Sequence, residues 1–358
     1  MHPVPTDDQE AILHEIRKFL TKSVDADKCM AWEKEPGSAV SALKSSVAEL
    51  GWFGYSAPED VGGSEAGFVD LSLLYEELGR GLLPLQVINY MRGVQAVVDL
   101  DPKCSLLNNL TTAEKTICLS FDEEFNRLPE NYDVKIEGDA VYGRKCYVLN
   151  AESADYHLVA AKEKGGLSLV VVENKDLKFQ PLKTMADDSQ AHVDYSGAKV
   201  IARLGDAGNG KEAFDKMWLN QRLLALSEML GSMFCVLDTT VDYIKERWQF
   251  GQPIALFQAV RHQTADMATT VTACRHLTRQ AITRTVAGTV ESTEVLSALA
   301  YVGQAYKKVC WAGHHLHGGT GFVVEHPMHW HSERAQSYCI RYTPEAPFLK
   351  AITAKLLD

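Results

Sequence analysis

Two stretches of this chain gather side chains that can do chemistry. Residues 314–331 read HHLHGGTGFVVEHPMHWH and hold six of the chain's twelve histidines around a Gly-Gly-Thr-Gly turn. Clustered imidazoles suit Zn or Ni, yet these show no recognisable ligand spacing. Surface or packing roles account for His326, His329 and His331. The glycines favour another use, because a backbone without Cβ atoms brings its N–H groups close to an anion. The second stretch, residues 246–258, reads ERWQFGQPIALFQ. An Arg at a helix C-terminus interacts favourably with the helix dipole on its own. Here a tight Phe-Gly-Gln-Pro turn follows Arg247, and Phe257-Gln258 opens the next helix. A guanidinium fork, an aromatic ring and an amide thus meet at one corner, and such a fork suits phosphate through two parallel hydrogen bonds.

Long helices must position that corner. From Lys211 to about Glu246 there is no proline and no loop signal, which predicts one helix of about 50 Å at 1.5 Å per residue. Pro253 marks the break. A second helix is predicted from about Phe257 past Arg279, with Val260, Met267, Val271 and Cys274 on one side. A third covers about Ser292–His314 and a short fourth Pro347–Leu357. Long helices joined by short loops predict a bundle. The N-terminal region is helical as well. Thr6-Asp7-Asp8-Gln9 has the form of a capping box and leads into Ile12, Ile16, Phe19 and Leu20. A further helix carries Val40, Leu43, Val47 and Leu50 and stops at Gly51; another carries Leu71, Leu74, Tyr75 and Leu78 and ends at Gly79.

From about Thr116 the period changes. TICLS, VKIEG, KCYVL, YHLVAA and LSLVVVE are short and β-branched or aromatic, with turns at Glu137-Gly138-Asp139 and Lys164-Gly165-Gly166. HVDYSGAKVIA adds an alternating pair. Such spacing predicts a small antiparallel barrel or sandwich. The expected architecture is α+β: a helical domain over 1–113, a β domain over 114–204 and a four-helix bundle over 205–358.

Composition narrows the function. The 358 residues carry a net charge of −11 without a basic cluster, which argues against nucleic acid as a partner. No run approaches the roughly 18 apolar residues of a membrane span, and LLALSEMLGSMFCVL is broken by Glu228. MHPVPTDDQE has acidic residues where a signal peptide carries a basic region. The eight cysteines stand singly, a pattern that fits reduced thiols. A cytoplasmic protein without metal is expected.

Arg-x-x-Phe-Gly-Gln-Pro-(x)3-Phe-Gln closely resembles the signature of the acyl-CoA dehydrogenase family, and the resemblance covers the whole chain. Gly51-Trp52-Phe53-Gly54, Ala57-Pro58-Glu59-Asp60-Val61-Gly62-Gly63 and Glu76-Glu77-Leu78-Gly79-Arg80 are similar to the family's N-terminal pattern. The segment His315-Leu316-His317-Gly318-Gly319-Thr320-Gly321-Phe322 resembles its Gln-x-x-Gly-Gly-x-Gly, and Arg334 falls close to its downstream Arg. The resemblance implies FAD as cofactor, an acyl-CoA substrate and an acceptor such as electron-transfer flavoprotein. It implies that Arg247, Phe250, Gln258, His315, Gly318 and Gly319 contact the pyrophosphate and adenosine half of an FAD held mainly by a neighbouring subunit. Arg222 matches the family's CoA-facing Arg.

The pattern fails where the chemistry belongs. α,β-Desaturation needs a carboxylate in a dry pocket to remove the α-proton. The resemblance puts that base at Thr343 or, as in a branched-chain subgroup, at Gln221, and neither side chain can take a proton at neutral pH. Glu345 is the nearest alternative; its bland role is an acidic residue at a helix start. The family's flavin-ring segments are altered too: Cys118-Leu119-Ser120-Phe121-Asp122-Glu123-Glu124 has no glycine, and Leu149 replaces a hydroxyl; separately, Leu219 stands where the family has an acidic residue three before the CoA-facing Arg. Contacts to a neighbour's FAD survive while those to the subunit's own flavin ring are lost. This resembles the non-catalytic subunit of α2β2 acyl-CoA dehydrogenases of steroid side-chain degradation, whose partner chain supplies the base.

Overall fold

The computed structural model describes residues 5–35, 37–124, 131–186, 188–290 and 292–357. The first four residues of the N-terminal stretch read above lie outside them. In chain order the helices are α1 (Asp7–Ser23), α2 (Ala26–Lys34), α3 (Ser38–Glu49), α4 (Phe68–Arg80), α5 (Leu85–Leu100) and α6 (Leu107–Thr111). After the strands follow α7 (Lys211–Glu246), α8 (Gln258–Val286), α9 (Ser292–His317), α10 (Met328–Arg341) and α11 (Glu345–Leu357). The chain divides into two compact units, one of residues 1–31, 68–83 and 222–358, the other of residues 32–67 and 84–221.

In the second unit, β1 (Ile117–Ser120), β2 (Lys135–Glu137), β3 (Ala140–Tyr142), β4 (Arg144–Leu149), β5 (Tyr156–Glu163), β6 (Gly166–Glu173), β7 (Lys178–Leu182), β8 (Gln190–Asp194) and β9 (Ala198–Leu204) form two sheets. Strands β5, β2, β3, β9 and β6 close into a ring because β6 pairs back onto β5, and β4, β8 and β7 form a three-stranded sheet. The β5–β6 hairpin turns through Lys164 (φ 50°) and Gly165 (φ 83°), whose left-handed backbone matches the strand twist. Two pairings, β1–β5 and β2–β5, are parallel, so the expected all-antiparallel sheet is corrected there.

Helix α5 escaped the sequence pattern. Every residue from Val87 to Val97 is buried, so no polar face marks its period. A Cβ at Gly93 would lie 2.2 Å from the Ile117 carbonyl oxygen, and that absent atom lets α5 lie against β1.

In the first unit, α1 begins with the expected Thr6–Gln9 capping box. Its buried face is Leu13, Ile16 and Leu20, while Ile12 is exposed. Helix α4 ends at Arg80, one residue past Gly79. A Cβ at Gly79 would stand 2.0 Å from the Glu228 carbonyl oxygen, and one at Gly231 would stand 1.7 Å from that of Glu76. The two glycines let α4 and α7 cross backbone to backbone, and the Ser232 hydroxyl donates to the Gly79 carbonyl at 2.9 Å. Arg279 of α8 clamps Glu76 at the same crossing. Helix α7 runs unbroken as the sequence predicts, and α10 is an additional helix between the two expected last. By length and mean hydropathy alone α7 could cross a membrane, but two thirds of its apolar window is buried inside the protein, as in a core helix. All eight cysteines are free thiols.

Candidate functional site

Arg247 follows the last residue of α7, and its backbone is fixed at both ends. Its N–H donates to the Tyr243 carbonyl at 2.8 Å, and its carbonyl accepts from Ile254 N–H at 2.8 Å. Trp248-Gln249 and Gln252-Pro253 pair as a two-residue ribbon around Phe250 (φ 53°) and Gly251 (φ 79°). Two successive positive φ values make a tight turn of the kind glycine favours. Phe250 adopts it at a steric cost, and its ring is 92% exposed, with an edge-on contact to Phe257 at 6.1 Å. Gln258 opens α8 with its side chain exposed. Among the described residues, the guanidinium of Arg247 has no hydrogen-bond or ion-pair partner. The corner therefore presents an uncommitted cation, an exposed ring and an amide.

The glycine loop is fastened to this corner through α7. Tyr243, one turn before Arg247, donates its hydroxyl to the His317 carbonyl at 3.2 Å, and its ring stacks on the His317 imidazole at 4.5 Å. Gly318 (φ 58°) and Gly319 follow, and a Cβ at either would meet nothing within 4 Å. Nothing crowds the space over either glycine, so an anion can approach the backbone N–H groups there. His315 projects from the last turn of α9, with Nδ1 3.0 Å from the Gln263 amide of α8.

The remaining histidines are packing groups. His314 stacks on Phe322 at 4.6 Å and reaches the Ser332 hydroxyl at 2.7 Å. His326 lies edge-on to His317 at 4.7 Å, His329 Nδ1 bonds the His326 carbonyl at 2.7 Å, and His331 is buried. Burial pushes His326 down to about 4 and His331 to about 3, so both rings are neutral at pH 7. Among the described residues, no three His, Cys, Asp or Glu side chains converge to hold a metal ion.

The two positions to which the resemblance assigns a base are both buried. Thr343 is buried after α10, where a Cβ added to Gly303 would lie 2.1 Å from its hydroxyl oxygen. Gln221, fully buried in the second unit, donates its amide to the Arg92 carbonyl at 3.2 Å and accepts at its own carbonyl from the Arg92 guanidinium at 2.9 Å. Glu345 is exposed in the first turn of α11, which is the helix-start role and not a dry pocket. Arg222 places its guanidinium 5.2 Å over the Phe348 ring of the same helix. Glu228, read from the sequence only as a break in an apolar run, is a buried carboxylate. Seven residues beyond Gln221 on α7, it accepts a short hydrogen bond from the Tyr338 hydroxyl of α10.

In the second unit, the segment that differs from the family's flavin pattern is folded around an ion pair. Glu123 accepts from Lys145 Nζ at 2.8 Å and from the backbone N–H groups of Asp133 and Val134. Lys145 Nζ also donates to the Phe121 carbonyl and lies 3.5 Å over the Tyr132 ring. Phe121 packs edge-on against Phe214 and Trp218. Strand β4 shifts register between Lys145 and Val148 before Leu149, which offers no hydroxyl. The first unit thus offers chemistry that suits a diphosphate, an uncommitted guanidinium and two glycines whose backbone is open. Leu149 gives the ring end no hydrogen bond.

Comparison with known proteins agrees with this architecture. Residues 6–98 match the model of the acyl-CoA dehydrogenase N-terminal domain and residues 208–341 that of the acyl-CoA dehydrogenase C-terminal domain. The chain is 27% identical over 278 residues to acyl-CoA dehydrogenase IpdE2 of Mycobacterium tuberculosis, covering 78% of this chain and 74% of the relative. A glutaryl-coenzyme A dehydrogenase in complex with glutaryl-CoA superposes with a TM-score of 0.90 at 22% identity, over 100% of this chain and 97% of the other. The steroid acyl-CoA dehydrogenase Tcur3481-Tcur3483 superposes with a TM-score of 0.87 at 23% identity, over 98% of each chain.

Proposed function

This chain belongs to the acyl-CoA dehydrogenase family, with FAD as its cofactor, and from that premise we propose that it is a non-catalytic subunit completing the FAD site of a second, catalytic chain. The observation that carries this reading is an asymmetry. Arg247, Phe250, Gln258, His315, Gly318 and Gly319 are exposed, and the Arg247 guanidinium has no partner among the described residues. At the base positions, Thr343 and Gln221 are buried within their own units and cannot accept a proton. A chain that had simply decayed would lose both sets.

In the assembled enzyme, FAD supplies the hydride-accepting ring. This chain's part is to bind and orient: Arg247 would hold the diphosphate through its guanidinium, and the Gly318-Gly319 backbone would admit it without a side-chain clash. Gln258 and His315 bind the adenosine side, and Phe250 covers the turn. Arg222 is the residue assigned to CoA. A carboxylate of the partner chain would take the α-proton, and an acceptor such as electron-transfer flavoprotein would reoxidise the flavin. A steroid side-chain CoA thioester is the proposed substrate, by analogy with the steroid enzyme of the same fold. Eight free thiols support a cytoplasmic location.

The test is a pair of substitutions in the assembled complex. Glu345→Gln should leave turnover within about twofold, whereas replacing the partner's base by Gln should remove it, as loss of a general base costs about 100-fold or more. A large loss in Glu345→Gln would transfer the chemistry to this chain and end the proposal.

A further inference from the structure

Within the first unit, a cleft of about 310 Å³ opens between α1, α4 and α8. That is room for about ten water molecules at ~30 Å³ each, at the lower end of small-molecule sites. Glu10, Leu13 and Arg17 line it from one face of α1, at spacings of three and four, and Arg275 and Arg279 from one face of α8. Leu73, Glu76 and Glu77 of α4 form the third side. Two ion pairs tie the outer helices to α4. Arg17 holds Glu77 through hydrogen bonds of 2.8 and 2.6 Å, and Arg279 Nη2 reaches both oxygens of Glu76 at 3.1 and 3.2 Å. Holding three helices together accounts for those four side chains. It does not account for Arg275 and Glu10. Among the described residues, neither the Arg275 guanidinium nor the Glu10 carboxylate makes a hydrogen bond or an ion pair, although both line the cleft. Leu13 and Leu73, both buried, add apolar surface to it.

The balance of charge selects the ligand. Arg17, Arg275 and Arg279 are matched by Glu10, Glu76 and Glu77, so a bare anion or a bare cation gains little from the cleft as a whole. A molecule with one charge of each sign and no net charge can satisfy the uncommitted guanidinium and the uncommitted carboxylate together. We propose that this cleft binds an aliphatic α-amino acid as its zwitterion. The carboxylate takes the Arg275 fork, the ammonium group takes Glu10, and the side chain lies against Leu13 and Leu73. The site shares no residue with the Arg247 corner and does not depend on the subunit reading.

Calorimetric titration of the full chain, with its partner where the two copurify, tests this. The probes are L-leucine, isocaproate, which lacks the ammonium group, and isoamylamine, which lacks the carboxylate. L-Leucine should bind saturably in the millimolar range or tighter, and each of the other two about tenfold or more weaker. Arg275→Gln and Glu10→Gln should each weaken L-leucine by about tenfold or more. Neither side chain holds another residue, so both variants should keep the wild-type thermal midpoint, and the two partial probes examine the same contacts on the unaltered chain. No saturable binding of L-leucine overturns the proposal, as does an affinity indifferent to either substitution. Isocaproate binding as tightly as L-leucine also overturns it, since Glu10 would then take no part.

Discussion

Replacing Arg247 by Ala isolates the contribution of one guanidinium to flavin retention. The backbone at this position is held through its own N–H and C=O, to Tyr243 and from Ile254, and alanine keeps both bonds. The side chain is exposed and has no partner among the described residues, so its removal leaves no orphaned group and should move the thermal midpoint little. The loss then falls on FAD. A charge-assisted fork on a diphosphate is worth about 2–3 kcal/mol, which corresponds to roughly 30- to 150-fold weaker binding. Arg247→Lys keeps the charge but not the parallel geometry and should fall between the two. The assay is flavin release from the assembled complex after dilution, followed by absorbance, with subunit assembly monitored by native mass. Flavin retained equally by wild type and Arg247→Ala, in an intact complex, would refute the assignment of this corner to FAD.

Three further outcomes are expected. Gly79→Ala should destabilise the protein by about 3 kcal/mol or more, since its Cβ would stand 2.0 Å from the Glu228 carbonyl; a denaturation midpoint unchanged by the substitution contradicts the α4–α7 crossing. Gly318→Ala meets no atom within 4 Å but takes φ 58°, so a modest cost of about 1 kcal/mol in stability is expected, with weaker FAD retention as the methyl fills the cradle. Acid should destabilise the fold below pH 6.5. Burial holds His157 and His326 down to about 4 and His331 to about 3, so the unfolded chain takes up protons that the folded chain refuses. Their stabilisation is complete above 6.5 and is lost as the pH falls through those values, at up to about 1.4 kcal/mol per pH unit for each ring. Asp99, pushed up to about 6 by burial, acts in the opposite sense. A urea midpoint flat from pH 6.5 to 5 would contradict this balance.

What the sequence revealed and what it hid follow from the range of the interactions. Helix α7 was legible over its full length because nothing local interrupts it. The Arg247 corner was legible because its turn, ring and amide lie within twelve residues. The crossing of α4 and α7 was not, since Gly79 looks like a helix stop until the Glu228 carbonyl lies beside it. Helix α5 was hidden by its uniform burial. In α1 the choice between Ile12 and Leu13 depended on what the helix faces, which a periodic pattern leaves open by one residue. The tie from Tyr243 to His317 joins residues 74 apart and gives no local signal. The Glu123–Lys145 pair likewise became visible only once β4 stood beside β1. That Gln221 and Thr343 carry no carboxylate was legible from the sequence; that both are buried was not.

The central claim is that this chain completes another chain's flavin site. Its direct test is the flavin content and native mass of the chain purified alone and then with a co-expressed acyl-CoA dehydrogenase partner that carries the base. The account predicts a colourless chain alone and one FAD per heterodimer in the complex. A yellow homotetramer holding one FAD per chain would contradict it.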